Sequence, residues 1–66
     1  MRIVLNDQPA ETSAPDVRAL MAERGLAEEP GVAVALDGAV IPRSRWAETR
    51  LAEGAQILVI RAAQGG

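Results

Sequence analysis

A chain of 66 residues with no cysteine and no histidine must hold its fold on apolar packing and backbone hydrogen bonds alone. A domain of that size buries only about 60% of the surface its unfolded chain exposes, and many domains this small lean on disulfides or a structural metal. Neither device is open here, because the disulfide partners and the commonest zinc ligands are missing. The same absence removes Cys and His as nucleophile and general base, and all seven basic residues are arginine, so no lysine can form a Schiff base. Ser13 and Ser44 have nothing to activate them. The expectation is one domain with no catalytic residues and no metal site. Hydrophobic residues make up 48% of the chain, charged residues 24%, and the net charge is −2. That balance is too apolar for disorder and too acidic for a nucleic-acid binder. The apolar stretch Ile3-Val4-Leu5 stops at Asn6-Asp7, far short of a signal-peptide core or a membrane span, and neither end carries a lipidation signal. A cytoplasmic protein with no membrane partner is expected.

Residue patterns predict the order β-β-α-β-β-β. Arg2 to Leu5 alternates as a strand, Asn6-Asp7-Gln8-Pro9 is turn chemistry, and Ala10-Glu11-Thr12 returns as a short second strand. Ser13 is placed as the helix cap, with Pro15 in the first turn and Asp16 completing a capping box. Val17, Leu20 and Met21 share one helix face, and Arg24-Gly25 ends it. Leu26 to Gly31 reads as a linker, with Glu28-Glu29 as solvated charge. Val32 to Leu36 is a strand, Asp37-Gly38 is the strongest hairpin signal in the chain, and Ala39 to Ile41 returns until Pro42 stops it. Arg43 to Leu51 is a loop with one short helical turn. Gln56 to Arg61 is the most continuous strand signal. Ala62 to Gly66 has little to bury.

Such an order folds most simply as an α+β β-grasp: a mixed sheet of about five strands packed on one helix, with first and last strands parallel. The division expected is a domain over residues 1–61 and a flexible Gly-Gly tail over 62–66. The inward set is Ile3, Leu5, Val17, Leu20, Met21, Val34, Leu36, Ile57 and Val59, with Trp46 and Leu51 closing an edge. One helix covers one sheet face, so the alternate residues should be polar. Instead Val4, Leu58 and Ile60, with Ala33 and Ala35 on the neighbouring strand, form an apolar patch of the kind that marks a binding surface. An inverted register in one strand is the competing arrangement, although the last strand is apolar on both faces either way. Arg43, Arg45 and Arg50 form a local basic cluster, either a solvated face or a contact for an acidic partner.

The tail offers the other chemistry. Two glycines without Cβ atoms can thread a narrow channel, and their backbone and terminal carboxylate can be gripped by a partner. A free α-carboxylate, with a pKa of about 3.3–3.7, is ionised and a poor electrophile. Reaction at that carbon requires a better leaving group, and an acyl-adenylate made from ATP is the obvious route. On its own, a terminal Gly-Gly is a weak signal, and an incidental frayed end is the better reading of it.

Four segments together resemble the ubiquitin-like sulfur carriers, most closely the ThiS family of thiamine biosynthesis. They are Ile3-Val4-Leu5-Asn6-Asp7-Gln8, the run from Ala35-Leu36-Asp37-Gly38 through Val40-Ile41-Pro42-Arg43-Ser44-Arg45-Trp46-Ala47, then Leu51-Ala52-Glu53-Gly54, and Gly65-Gly66. The chain departs from the family pattern at Ala55, where Asp is common, and at Ala14-Pro15, where a glycine is often found. The resemblance implies a protein substrate rather than an enzyme. A ubiquitin-activating-type adenylating enzyme would use ATP and magnesium to activate Gly66, with no cofactor bound by the chain itself. A sulfur donor, a cysteine desulfurase or persulfide protein, would then leave a thiocarboxylate that delivers sulfur to thiazole synthase. Gly65 supplies the slim approach, Ala62, Ala63 and Gln64 the tether, and Val4, Leu58 and Ile60 the docking contacts. Alternatives are the small subunit of molybdopterin synthase, a protein modifier forming isopeptide bonds, and a β-grasp interaction domain with incidental glycines. The Pro-Arg-x-x-Trp segment and the shorter length argue against the first.

Overall fold

The structure, a computed structural model, describes residues 1–62. Strands β1 (Arg2–Leu5) and β2 (Gln8–Glu11) precede helix α1 (Val17–Glu23). Strands β3 (Val32–Leu36) and β4 (Ala39–Ile41), a 3-10 helix (Arg43–Glu48) and strand β5 (Gln56–Arg61) follow. The sheet order is β2-β1-β5-β3-β4, with β1 parallel to β5 and every other pair antiparallel. This is the β-grasp arrangement expected, with the last strand inserted between the two hairpins.

Both hairpins turn on two residues. Asp37 (φ 49°) and Gly38 (φ 89°) join Leu36 to its partner Ala39, and Asn6 (φ 50°) and Asp7 (φ 65°) join Leu5 to Gln8. Successive positive φ values fit the right-handed strand twist, and Asn and Asp are the side-chain-bearing residues that best tolerate them. The first turn is therefore tighter than the four residues expected, and β2 starts at Gln8 rather than Ala10. Pro9 lies within it, opposite Val4, which an edge strand permits because its outer side needs no ladder donor. Each turn also holds β5. Asn6 Oδ1 accepts from the Val59 N–H at 2.8 Å, and Asp37 Oδ1 accepts from the Gln56 N–H at 2.9 Å.

The helix starts later than the sequence suggests. Its N-cap is Asp16, not Ser13; Asp16 is extended (φ −147°, ψ 174°) and accepts the Ala19 N–H at 2.8 Å. Pro15 explains the shift, since the residue before a proline is driven to extended backbone and no helix can pass through Ala14. At the other end Gly25 (φ +74°) and Leu26 return N–H groups to the carbonyls of Ala22 and Met21, a Schellman closure.

Ile3, Val17, Leu20, Met21, Val34 and Ile57 are buried between α1 and the sheet. Leu5, Leu36, Val59 and Leu51 are half-buried against them. Trp46, expected as a filler at the edge of the core, is fully buried at 0% exposure, its indole N–H donating to the Ile41 carbonyl at 3.0 Å. Ala14 and Ala55, absent from the expected core, are buried as well. So is Thr12, whose hydroxyl donates to Glu23 at 2.7 Å and accepts the Ala14 N–H. The segment leaving the 3-10 helix binds the start of α1, Val17 N–H to Thr49 O and Leu51 N–H to Pro15 O.

Candidate docking face and tail root

Because α1 and the 3-10 helix occupy one side of the sheet, every second residue of the central strands faces the other. Register decides which residues meet there. Ala33 pairs with Ile60 and Ala35 with Leu58 across β3 and β5, while Val4 lies on the far side of β5, paired with Gln56. Same-face cross-strand partners are side-chain neighbours, so the five residues expected on the open face are brought together there. Leu58 is 46% exposed, Ile60 54% exposed and Ala33 exposed, with Val4 and Ala35 half-buried. A shallow depression among Val4, Ala35, Gln56 and Leu58 closes at Asp7 and Gly38 on the two turns.

Val40 belongs to the same face and was not anticipated. It is 72% exposed and pairs with Ala35, which extends the apolar surface onto the edge strand β4. The signal was present, since a two-residue Asp37-Gly38 turn sets Leu36 opposite Ala39 and therefore Ala35 opposite Val40. At the opposite margin Arg2, two residues from Val4, donates from Nε to Glu11 Oε2 at 2.8 Å, and the N-terminal ammonium lies 3.7 Å from Glu11 Oε1. The hydrogen bond from Arg2 is the main reason the Glu11 carboxyl sits below its ordinary pKa.

Arg43, Arg45 and Arg50, expected as a local basic cluster, are all exposed. Arg43 donates to the carbonyls of Ala27 and Glu29 and lies 4.4 Å over the Trp46 ring. Arg45 pairs with Glu48 at 3.5 Å, and the backbone of Arg50 forms an isolated antiparallel β-bridge with that of Asp16 at the start of the helix.

The open face leads into the tail root. From Leu58 and Ile60, β5 passes through Arg61, which is ion-paired with Glu29, to Ala62, whose N–H donates to the Gly31 carbonyl at 2.8 Å. Ala63, Gln64, Gly65 and Gly66, the rest of the expected tether and its reactive end, lie outside the described residues. Among the described residues, no group of three or more Asp or Glu side chains is placed to hold a metal ion, and no helix is long and apolar enough to cross a membrane. Ser13 and Ser44 are exposed.

Comparison with known proteins places this geometry. The ThiS family profile matches residues 3–66. The sulfur carrier protein ThiS of Escherichia coli K12 is 30% identical over 66 residues, all of both chains. The crystal structure of the thiamine biosynthesis protein ThiS from Geobacter metallireducens superposes with a TM-score of 0.84 over the full length of both chains, at 23% identity. Its solution structure gives 0.80 over all of this chain and 88% of that one. The chain belongs to the ThiS family of thiamine-biosynthesis sulfur carriers, and is a carrier protein rather than an enzyme.

Proposed function

We propose that the chain carries sulfur as a thiocarboxylate on Gly66, and that the open sheet face docks the enzymes that load and unload it. The observation that carries this reading is continuity: β5 holds Leu58 and Ile60 on the open face and runs directly into the tail root at Arg61 and Ala62. A partner seated on that face is thereby beside the point where the tail begins. An apolar face left uncovered by its own helix suits a protein partner.

The chemistry follows from the carboxylate. In a ubiquitin-activating-type enzyme, a Gly66 oxygen attacks the α-phosphorus of magnesium-bound ATP and pyrophosphate leaves, giving an acyl-adenylate. The terminal sulfur of a persulfide donor, charged by a cysteine desulfurase, attacks the acyl carbon and AMP departs. The acyl disulfide is released as the thiocarboxylate by a second thiol, which takes up the donor sulfur as a disulfide. Thiazole synthase then accepts the sulfur. ATP and magnesium act in the partner, and the sequence of steps belongs to the cytoplasm, where ATP and thiols are plentiful. Gly65 lets the end reach the reacting atoms, and Ala62, Ala63 and Gln64 span the distance.

Deleting Gly66 moves the carboxylate back by roughly 3.5 Å along an extended chain. Misplacement by an ångström can cost about a hundredfold in rate. Incubated with the adenylating enzyme, ATP, magnesium and a sulfur source, wild type should gain the mass of one oxygen-to-sulfur exchange, and the truncated chain should not. Equal conversion of both, or none of the wild type by an enzyme active on another carrier, would overturn the proposal.

A further inference from the structure

We propose that Arg43 and Glu29 are positioning residues that fix the direction in which the tail leaves the sheet, an inference that rests on the thiocarboxylate reading. Trp46 supplies the fixed point, fully buried with its indole N–H on the Ile41 carbonyl. Arg43 stands three residues earlier on a 3-10 helix, where residues three apart eclipse, and its guanidinium lies 4.4 Å from the ring centroid. Its two terminal nitrogens reach the carbonyls of Ala27 and Glu29, a fixed fork that sets both at once. Both carbonyls belong to the connection between α1 and β3, a stretch with no ladder to locate it. Held there, that connection grips the end of β5 twice. The Glu29 carboxylate takes two guanidinium nitrogens of Arg61, and the Gly31 carbonyl takes the Ala62 N–H at 2.8 Å. A continuous run of contacts thus leads from the core indole to the last residues before the tail.

The arrangement is poor as a stability device, because Arg61 and Glu29 are solvent-accessible and exposed ion pairs contribute little. Its leverage is geometric. An extended run of four residues spans at most about 14 Å. Displacing its root relative to the docking face would leave the end of so short a tether out of reach, and an ångström-scale error can already cost about a hundredfold in rate.

The test compares wild type, Arg43→Gln, Glu29→Arg, Arg61→Glu and the exchanged pair Glu29→Arg with Arg61→Glu, each first checked for native circular dichroism. Three quantities are read: affinity for the adenylating enzyme, the single-turnover rate of Gly66 adenylation at saturating enzyme, and amide exchange at Ala62. The single variants should dock within about twofold of wild type, adenylate at least about tenfold more slowly, and exchange the Ala62 amide faster. The exchanged pair should recover both rate and protection. Unchanged adenylation in the single variants, or a pair as slow as its parents, overturns the proposal. If wild type itself is not adenylated, the thiocarboxylate reading fails, and Ala62 exchange still decides the clamp: wild-type protection in Arg43→Gln and Glu29→Arg would refute it.

Discussion

Ile57 and Leu58 are consecutive residues of one strand, equally apolar, and lie on opposite sides of the same sheet. Ile57 is 3% exposed beneath α1, whereas Leu58 faces away at 46%. Burial accounts for the first, since apolar area removed from water stabilises by roughly 25 cal/mol per Å². It accounts for little of the second. The open face from Val4 through Leu58 and Ile60 to Ala35 and Val40 is apolar and is not covered by other elements among the described residues, and the proposed function gives it contacts outside the chain. Under the proposed function, the two sides of the sheet separate what the chain needs to fold from what it presents to others.

The sharpest way to break that separation is to place the same charge on each side. Ile57→Asp removes a core side chain, which costs about 2–5 kcal/mol even for truncation to alanine, and adds a buried carboxylate on top. At about 0.05–0.15 kcal/mol per residue, a chain of 66 residues has only about 3–10 kcal/mol to lose. The variant should be largely unfolded at 25 °C by circular dichroism. Leu58→Asp should stay within about 0.5 kcal/mol of wild type in urea unfolding, as surface substitutions usually do. Its affinity for the adenylating enzyme should nevertheless drop by about tenfold or more, the cost of losing an interface anchor. If Leu58→Asp unfolds the chain, the open face is structural and the contrast collapses.

Val40 refines the outline of the proposed docking surface. It lies on the edge strand rather than at the centre, and rim contacts carry less binding energy than central anchors. Val40→Asp should reduce docking by only about two- to fivefold, with thermal stability unchanged. A loss as large as that of Leu58→Asp would shift the centre of the interface to β4, and no loss at all would place its boundary between β3 and β4.

Local chemistry made most of the architecture legible. Asp37-Gly38 defined a two-residue hairpin, and the unbroken Gln56–Arg61 run defined the central strand, because both signals are complete within a few residues. The open-face set followed from alternation in β1, β3 and β5. What escaped depended on partners far along the chain. Ser13 and Asp16 are both capping residues, and Pro15 between them excluded the earlier one. Arg43, Arg45 and Arg50 are close in sequence, but Arg43 is engaged by carbonyls fourteen and sixteen residues away. Of the candidate site, the face was readable apart from Val40, while the links from Arg43 to Arg61 became visible only once α1 and β5 were folded against each other.

The smallest effect concerns the charged margin of the open face, where Arg2 binds Glu11. The hydrogen bond from Arg2 holds the Glu11 carboxyl below the ordinary value of 4.5, so the folded chain favours its ionised form. The sign follows directly. Such a group contributes stability that is fully present above the unfolded carboxylate pKa and is lost as pH falls through the lower, folded-state pKa. Glu11 is fully solvated, so water screens the contribution to a slight one. Urea midpoints of wild type and Glu11→Gln should therefore differ marginally near pH 7, in favour of wild type, and converge as the solution is acidified below pH 4.5. A gap that widens on acidification would reverse the sign of the Glu11 shift. A large gap at neutral pH would mean that the open face contributes to folding through its margin, against the division between the two sides of the sheet.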